Sequence, residues 1–125
     1  MDTGLAAFLC RWPNAETLEN GAMDGAILET FVVTEIVKTY LNSGKTPPLY
    51  YYRDIDKKEI DLLITEGDKI YPMEIKKAKA PVNADKNFSD LSKLNMKLQA
   101  GVILCMSDDL MPYSRDTWYF PIAAI

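Results

Sequence analysis

The sequence predicts a mixed α/β (or α+β) fold, a central sheet flanked by helices in the order α-β-β-β-α-β, and three observations carry that expectation. Apolar residues recur at helical spacing from Gly25. Three β-type runs joined by short polar turns fill residues 49–77, and an unbroken apolar run occupies 101–106. A chain of 125 residues buries roughly two-thirds of its unfolded surface around one core and is too short for two catalytic domains.

In the helix, Ile27, Leu28, Phe31, Val32, Ile36 and Tyr40 mostly return at three- and four-residue steps, and Asn42-Ser43-Gly44 supplies a C-terminal cap. Thr46-Pro47-Pro48 then breaks the chain. Strands at 49–53, 59–65 and 69–77 are separated by Asp54-Ile55-Asp56-Lys57-Lys58 and Glu66-Gly67-Asp68, turns short enough for antiparallel hairpins. Pro81 and Asn83 mark a loop, and 88–98 reads as a second helix. The apolar run 101–106 reads as a strand covered on both faces and, following a crossover helix, parallel to its neighbour. The closing stretch Trp118-Tyr119-Phe120-Pro121-Ile122 is expected at a sheet edge, because Pro121 has no N–H to give a ladder. Residues 1–20 read as a separate segment, an amphipathic opening that stops at Trp12-Pro13 followed by a polar loop, leaving 21–125 as a single domain.

Composition excludes several chemistries. The chain has no histidine, so a Ser-His-Asp triad, a Cys-His pair and a His-ligated zinc are all out of reach. Cys10 and Cys105 lie far apart with no C-x-x-C pattern, which fits a reducing compartment and a cytoplasmic protein. No run of about 18 apolar residues exists to engage a membrane. The net charge of −4 weighs against binding nucleic acid by bulk electrostatics. The charge is uneven, however: 74–97 carries six Lys against Glu74, Asp85 and Asp90, a local +3.

Within that segment, Glu74 and Lys76 share one face of a strand while Met73 and Ile75 share the other. Hairpin pairing can set Asp61 beside Glu74, with Cβ atoms about 4.5–5.5 Å apart. Glu29 on the first helix completes the patch if that helix crosses the sheet there. Glu35, six residues on, points well round the helix from Glu29 and is the weaker candidate. Two or three carboxylates suit a hard divalent cation, Mg²⁺ or Mn²⁺, with Lys76 placed to orient the attacking water and offset charge on a scissile phosphate. Glu59 shares parity with Asp61 and reads as an exposed neighbour. Lys77 and Lys79 are the nearest candidates for nucleic-acid contact, with Lys86, Lys93 and Lys97 further along. Tyr50-Tyr51-Tyr52 offers stacking surfaces but reads as core and edge packing, and Cys105 as a small buried hydrophobe.

Asp61, then Glu74-Ile75-Lys76 thirteen residues later on the next strand, preceded by a helical Glu29, resembles the motif of the PD-(D/E)xK nuclease superfamily, with Ile60 in place of the motif's proline. That resemblance implies a restriction-endonuclease-like fold, metal ligands at Asp61 and Glu74, Glu29 as the helix acid and Lys76 as the catalytic lysine. More narrowly, 25–38, Tyr51-Tyr52-Arg53, Glu59-Ile60-Asp61 and 74–78 resemble a domain of unknown function found C-terminal to AAA-type ATPase modules in prokaryotic proteins. Such a domain follows a P-loop ATPase. The G-x-x-x-x-G-K-[ST] motif does not occur in this sequence, so the chain is expected to be part of a larger protein, with residues 1–20 the remnant of the entry from that module. The leading expectation is metal-dependent phosphodiester hydrolysis on nucleic acid. The alternatives are a non-catalytic module that docks an ATPase domain or partner protein, and a purely structural ion-pair cluster.

Overall fold

The computed structural model describes residues 24–125. The expectations for 1–20, including Cys10, the Trp12-Pro13 stop and the domain boundary near residue 21, lie outside the described residues. The chain divides into two compact units, one ending at Lys45 and one spanning Thr46–Ile125.

The first unit contains helix α1 (Asp24–Asn42), on which Val32 is fully buried. Its end is a Schellman cap: the Lys45 N–H donates to the Tyr40 carbonyl and the Gly44 N–H to the Leu41 carbonyl, each at 3.0 Å. Gly44 adopts φ of +74°, a left-handed conformation that costs glycine nothing, as the sequence led one to expect at this position.

The second unit is a seven-stranded mixed sheet. Its strands are β1 (Leu49–Arg53), β2 (Glu59–Glu66), β3 (Lys69–Ile75), β4 (Lys97–Leu98), β5 (Gly101–Cys105), β6 (Met111–Pro112) and β7 (Thr117–Pro121). They run in the order β1-β2-β3-β5-β7-β6, with β4 also paired to β3. The two hairpins β1–β2 and β2–β3 are antiparallel, while β3–β5 and β5–β7 are parallel. The apolar run thus pairs as expected, between two parallel neighbours. The first hairpin turn is closed by Asp54: its N–H donates to the Lys58 carbonyl at 3.0 Å, and its Oδ1 accepts from the Lys58 N–H at 2.9 Å.

Two expected elements differ. The second helix expected over 88–98 is a short 3₁₀ turn, Phe88–Lys93, followed by β4, so the helical crossover layer is not formed. Its apolar residues Phe88 and Leu91 are three apart, a spacing that stacks in a 3₁₀ turn, and Ser89, Asp90, Ser92 and Asn95 compete for backbone hydrogen bonds. The closing strand is not at the edge either. β7 has β6 on its outer side, pairing only at Trp118 and Tyr119, and Pro121 sits at the strand's end beyond β6.

Two bulges shape the sheet centre. From Tyr50↔Leu63 to Tyr52↔Ile60, β1 takes two steps while β2 takes three, so an extra residue lies in β2 at Asp61-Leu62. That slip brings Ile60 into phase with Leu63, and both join one core cluster with Ile70, Phe88 and Leu91, flanked by Tyr52 and Met96. The second irregularity accommodates Pro72, fully buried in mid-sheet. From Ile70 to Met73 is three steps on β3, but Leu98 to Val102 is four on the facing strands, so the break between β4 and β5 falls beside the residue that cannot donate. Gly101 sits so close to the core that an added Cβ would lie 2.5 Å from a ring carbon of Phe88.

Candidate functional site

The site lies where β2 and β3 part. Ladder pairing ends at Leu62↔Met73, and the next step of that register sets Asp61 against Glu74. Here the bulge turns Asp61, and its Oδ2 accepts from the Ile75 N–H at 2.8 Å in place of a ladder bond. β3 continues along β5 instead, the Lys76 N–H donating to the Leu104 carbonyl at 2.9 Å. Glu74 is therefore held deep, 5% exposed, while Lys76 reaches back so that its Nζ stands 3.5 Å from Glu74 Oε2.

The electrostatics follow from that packing. Burial pushes the Glu74 carboxyl up from its ordinary 4.5 to about 8, the negative charge of Asp61 and the hydrogen bond to it add to the rise, and Lys76 opposes it. At neutral pH Glu74 therefore keeps its proton. A divalent cation would do the same work by charge, and the donors are hard carboxylate oxygens of the kind Mg²⁺ and Mn²⁺ take one or two at a time. Among the described residues no group of three or more His, Cys, Asp or Glu is gathered as a preformed metal cage.

A groove of ≈ 370 Å³ opens over the pair. Glu59, Asp61, Glu74 and Lys76 form its floor side, with Lys57 from the β1–β2 turn and the loop residues Val82, Asn83, Ala84, Lys86 and Asn87 as the rest of its lining. The loop wall is pinned from three directions. Asn87 Nδ2 donates to the Glu59 carbonyl at 3.0 Å, the Tyr119 hydroxyl to the Pro81 carbonyl at 2.8 Å, and the Asn83 N–H to the Tyr113 hydroxyl at 3.1 Å. Tyr113 and Tyr119 brace each other edge to face, ring centroids 5.1 Å apart.

The structure thus gathers Asp61, Glu74 and Lys76. Glu29 belongs to the helical unit, at an exposed position on α1. Glu35 in the same helix pairs with Lys38 at 2.9 Å. Lys77 and Lys79 are exposed beyond the end of β3 and do not line the groove; Lys57 and Lys86 do. Lys57 went unnoticed in the sequence, where a turn lysine carries no signal; its position follows only from the hairpin's geometry. Glu59 is half-exposed and pairs with Arg53 at 3.4 Å. Cys105 is fully buried, as expected. The reading of the tyrosines as packing residues holds for Tyr52 alone: Tyr50 and Tyr51 are each 58% exposed, because β1 is the outermost strand and its neighbour's bulge breaks the register between them.

The family model of DUF4143, a domain of unknown function, matches residues 24–125, and the chain belongs to that family. Comparison with curated proteins and with solved structures finds no match.

Proposed function

We propose that this DUF4143 domain is a nuclease-like module that hydrolyses a phosphodiester of nucleic acid with Mg²⁺ or Mn²⁺. The observation that carries the reading is the pair of half-buried Asp61 and buried Glu74, with Lys76 3.5 Å from Glu74, at the floor of an open groove. Asp61 and Glu74 would hold the cation, and the bound ion would supply Lewis acidity and a more acidic water. Lys76 orients the attacking water and offsets the charge that grows on the scissile phosphate. Burial of Glu74 makes a charge placed against its carboxyl count for more than it would in water.

The resemblance of the Glu29, Asp61 and Glu74-Ile75-Lys76 pattern to the PD-(D/E)xK superfamily supports the same chemistry, and the narrower resemblance supports a place downstream of an AAA-type ATPase module. A second reading, a non-catalytic module that docks such an ATPase, draws on the net charge of −4. The two separate in one experiment: incubation of the protein with Mn²⁺ and labelled single- and double-stranded DNA and RNA, beside Lys76→Ala. Cleavage that falls at least ~100-fold in the variant is the expected result. No cleavage, with no Mn²⁺-induced rise in melting temperature, overturns it in favour of docking.

A further inference from the structure

An acidic protein that handles a polyanion needs a grip other than charge, and the groove makes the need specific. Lys57, Lys76 and Lys86 face Glu59, Asp61 and Glu74 there, so the lining offers little surplus of positive charge. Lys76 is moreover engaged with Glu74, and Lys93 and Lys97, which looked like further phosphate contacts, are engaged elsewhere, Lys93 with Asp54 and Asp90, Lys97 with Asp68 at 3.1 Å. Lys57 and Lys86 form no ion pair with any described residue.

Beside that lining stands an aromatic ring in the open. Tyr51 lies on the outermost strand opposite the Asp61-Leu62 bulge, 58% exposed, with its hydroxyl directed to the Glu59 carboxylate and close enough to Asp61 to feel its charge. Arg53, on the same strand, pairs with Glu59 at 3.4 Å. Tyr50 is equally exposed, but adjacent residues of a strand point to opposite faces, so Tyr51, two residues from Arg53, is the one on the side of the groove residue Glu59.

Resting on the nuclease-like reading above, we infer that the groove takes an unpaired nucleic-acid strand, with one base stacked on the Tyr51 ring and the adjoining phosphates between Lys57 and Lys86. Stacking supplies affinity that does not depend on surplus charge, and it tolerates any base because each presents a π-face. It also selects the strand's state. A base inside a duplex already has both faces covered by its neighbours, whereas a single strand, a splayed end or a loop can lay one face on an exposed ring.

The test is fluorescence anisotropy of the full chain with a labelled 12-nucleotide DNA strand and its duplex, Ca²⁺ replacing Mg²⁺ so that the strand stays intact. The expected results are tighter binding of the single strand than of the duplex, a loss on the order of tenfold in Tyr51→Ala, retention in Tyr51→Phe, and no change in Tyr50→Ala. With at most three lysines on the backbone, the slope of log affinity against log salt should be no steeper than about −2. Equal binding of duplex and single strand, or a Tyr51→Ala protein that binds as tightly as the parent, overturns the inference. The cleavage assay keeps the two proposals apart. Cleavage indifferent to Tyr51→Ala removes this inference and leaves the nuclease reading, while Tyr51-dependent strand binding without cleavage removes the nuclease reading and leaves the strand site.

Discussion

Two acidic pairs sit on the same face-to-turn region of the sheet unit, and they are solved differently. Asp54 and Asp90, 11% and 15% exposed at their side chains, are met by two lysines: Lys93 Nζ lies 3.9 Å from each, and Lys58 Nζ lies 3.6 Å from Asp90. Glu74, 7% exposed at its side chain, and the half-buried Asp61 receive one lysine among the described residues. The first cluster is electrically closed and ties the β1–β2 turn to the 3₁₀ turn Phe88–Lys93. The second is one positive charge short, and Glu74 makes up the difference by keeping a proton to about pH 8. A structural ion-pair cluster is expected to look like the first, since a buried charge without a partner is costly. The second has the imbalance that a bound cation would correct.

The largest expected effect follows from that imbalance. In the unfolded chain Glu74 ionises near 4.5; in the fold it holds its proton to about 8. The native state therefore binds the extra proton inside this window. Glu74's contribution to metal-free stability is fullest below the lower value and falls as pH rises towards the upper one, by up to ~1.4 kcal/mol per pH unit. Glu74→Gln, neutral throughout, should flatten that slope in urea unfolding followed from pH 5 to pH 8. An unchanged slope in the variant would mean that the imbalance lies elsewhere.

A smaller effect separates the brace from the site. Gly101→Ala would drive a Cβ into Phe88, whose turn carries Asp90, and should cost about 1–3 kcal/mol in thermal unfolding. Its pH slope should match the parent, because Glu74 is untouched. The smallest effect on cleavage is expected from Lys93→Ala. It leaves Asp54, 11% exposed at its side chain, without its lysine and should cost about 1–3 kcal/mol in thermal unfolding, yet leave Mn²⁺-dependent cleavage as it was. A large loss of cleavage would join the two clusters into one functional unit.

Much of the sheet was legible because its signals are local. The Gly44 cap, the turns at Asp54–Lys58 and Gly67-Asp68 and the apolar run through Ile103 each announce themselves within a few residues. The pairing of Asp61 with Glu74 followed from hairpin register alone. What was not legible depends on neighbours. The bulge at Asp61-Leu62 leaves no mark in β2's own alternation, yet it sets the direction of Asp61, the phase of Ile60 and the exposure of Tyr51. The segment expected as a helix over 88–98 forms a 3₁₀ turn because Phe88 and Leu91 stand three apart, a spacing that stacks in 3₁₀ geometry, with serines and asparagines around them. Pro72 was the missed clue: a proline amid an apparent central strand signals a bulge, and one lies beside it.

The most direct test of the cation site is a crystal of the protein soaked in Mn²⁺, with anomalous density collected for the parent and for Glu74→Gln. One peak in contact with both Asp61 and Glu74, lost in the variant, is the expected result. No peak at that pair, or a peak that persists when Glu74 is replaced, would contradict the assignment of the second acidic pair to a metal.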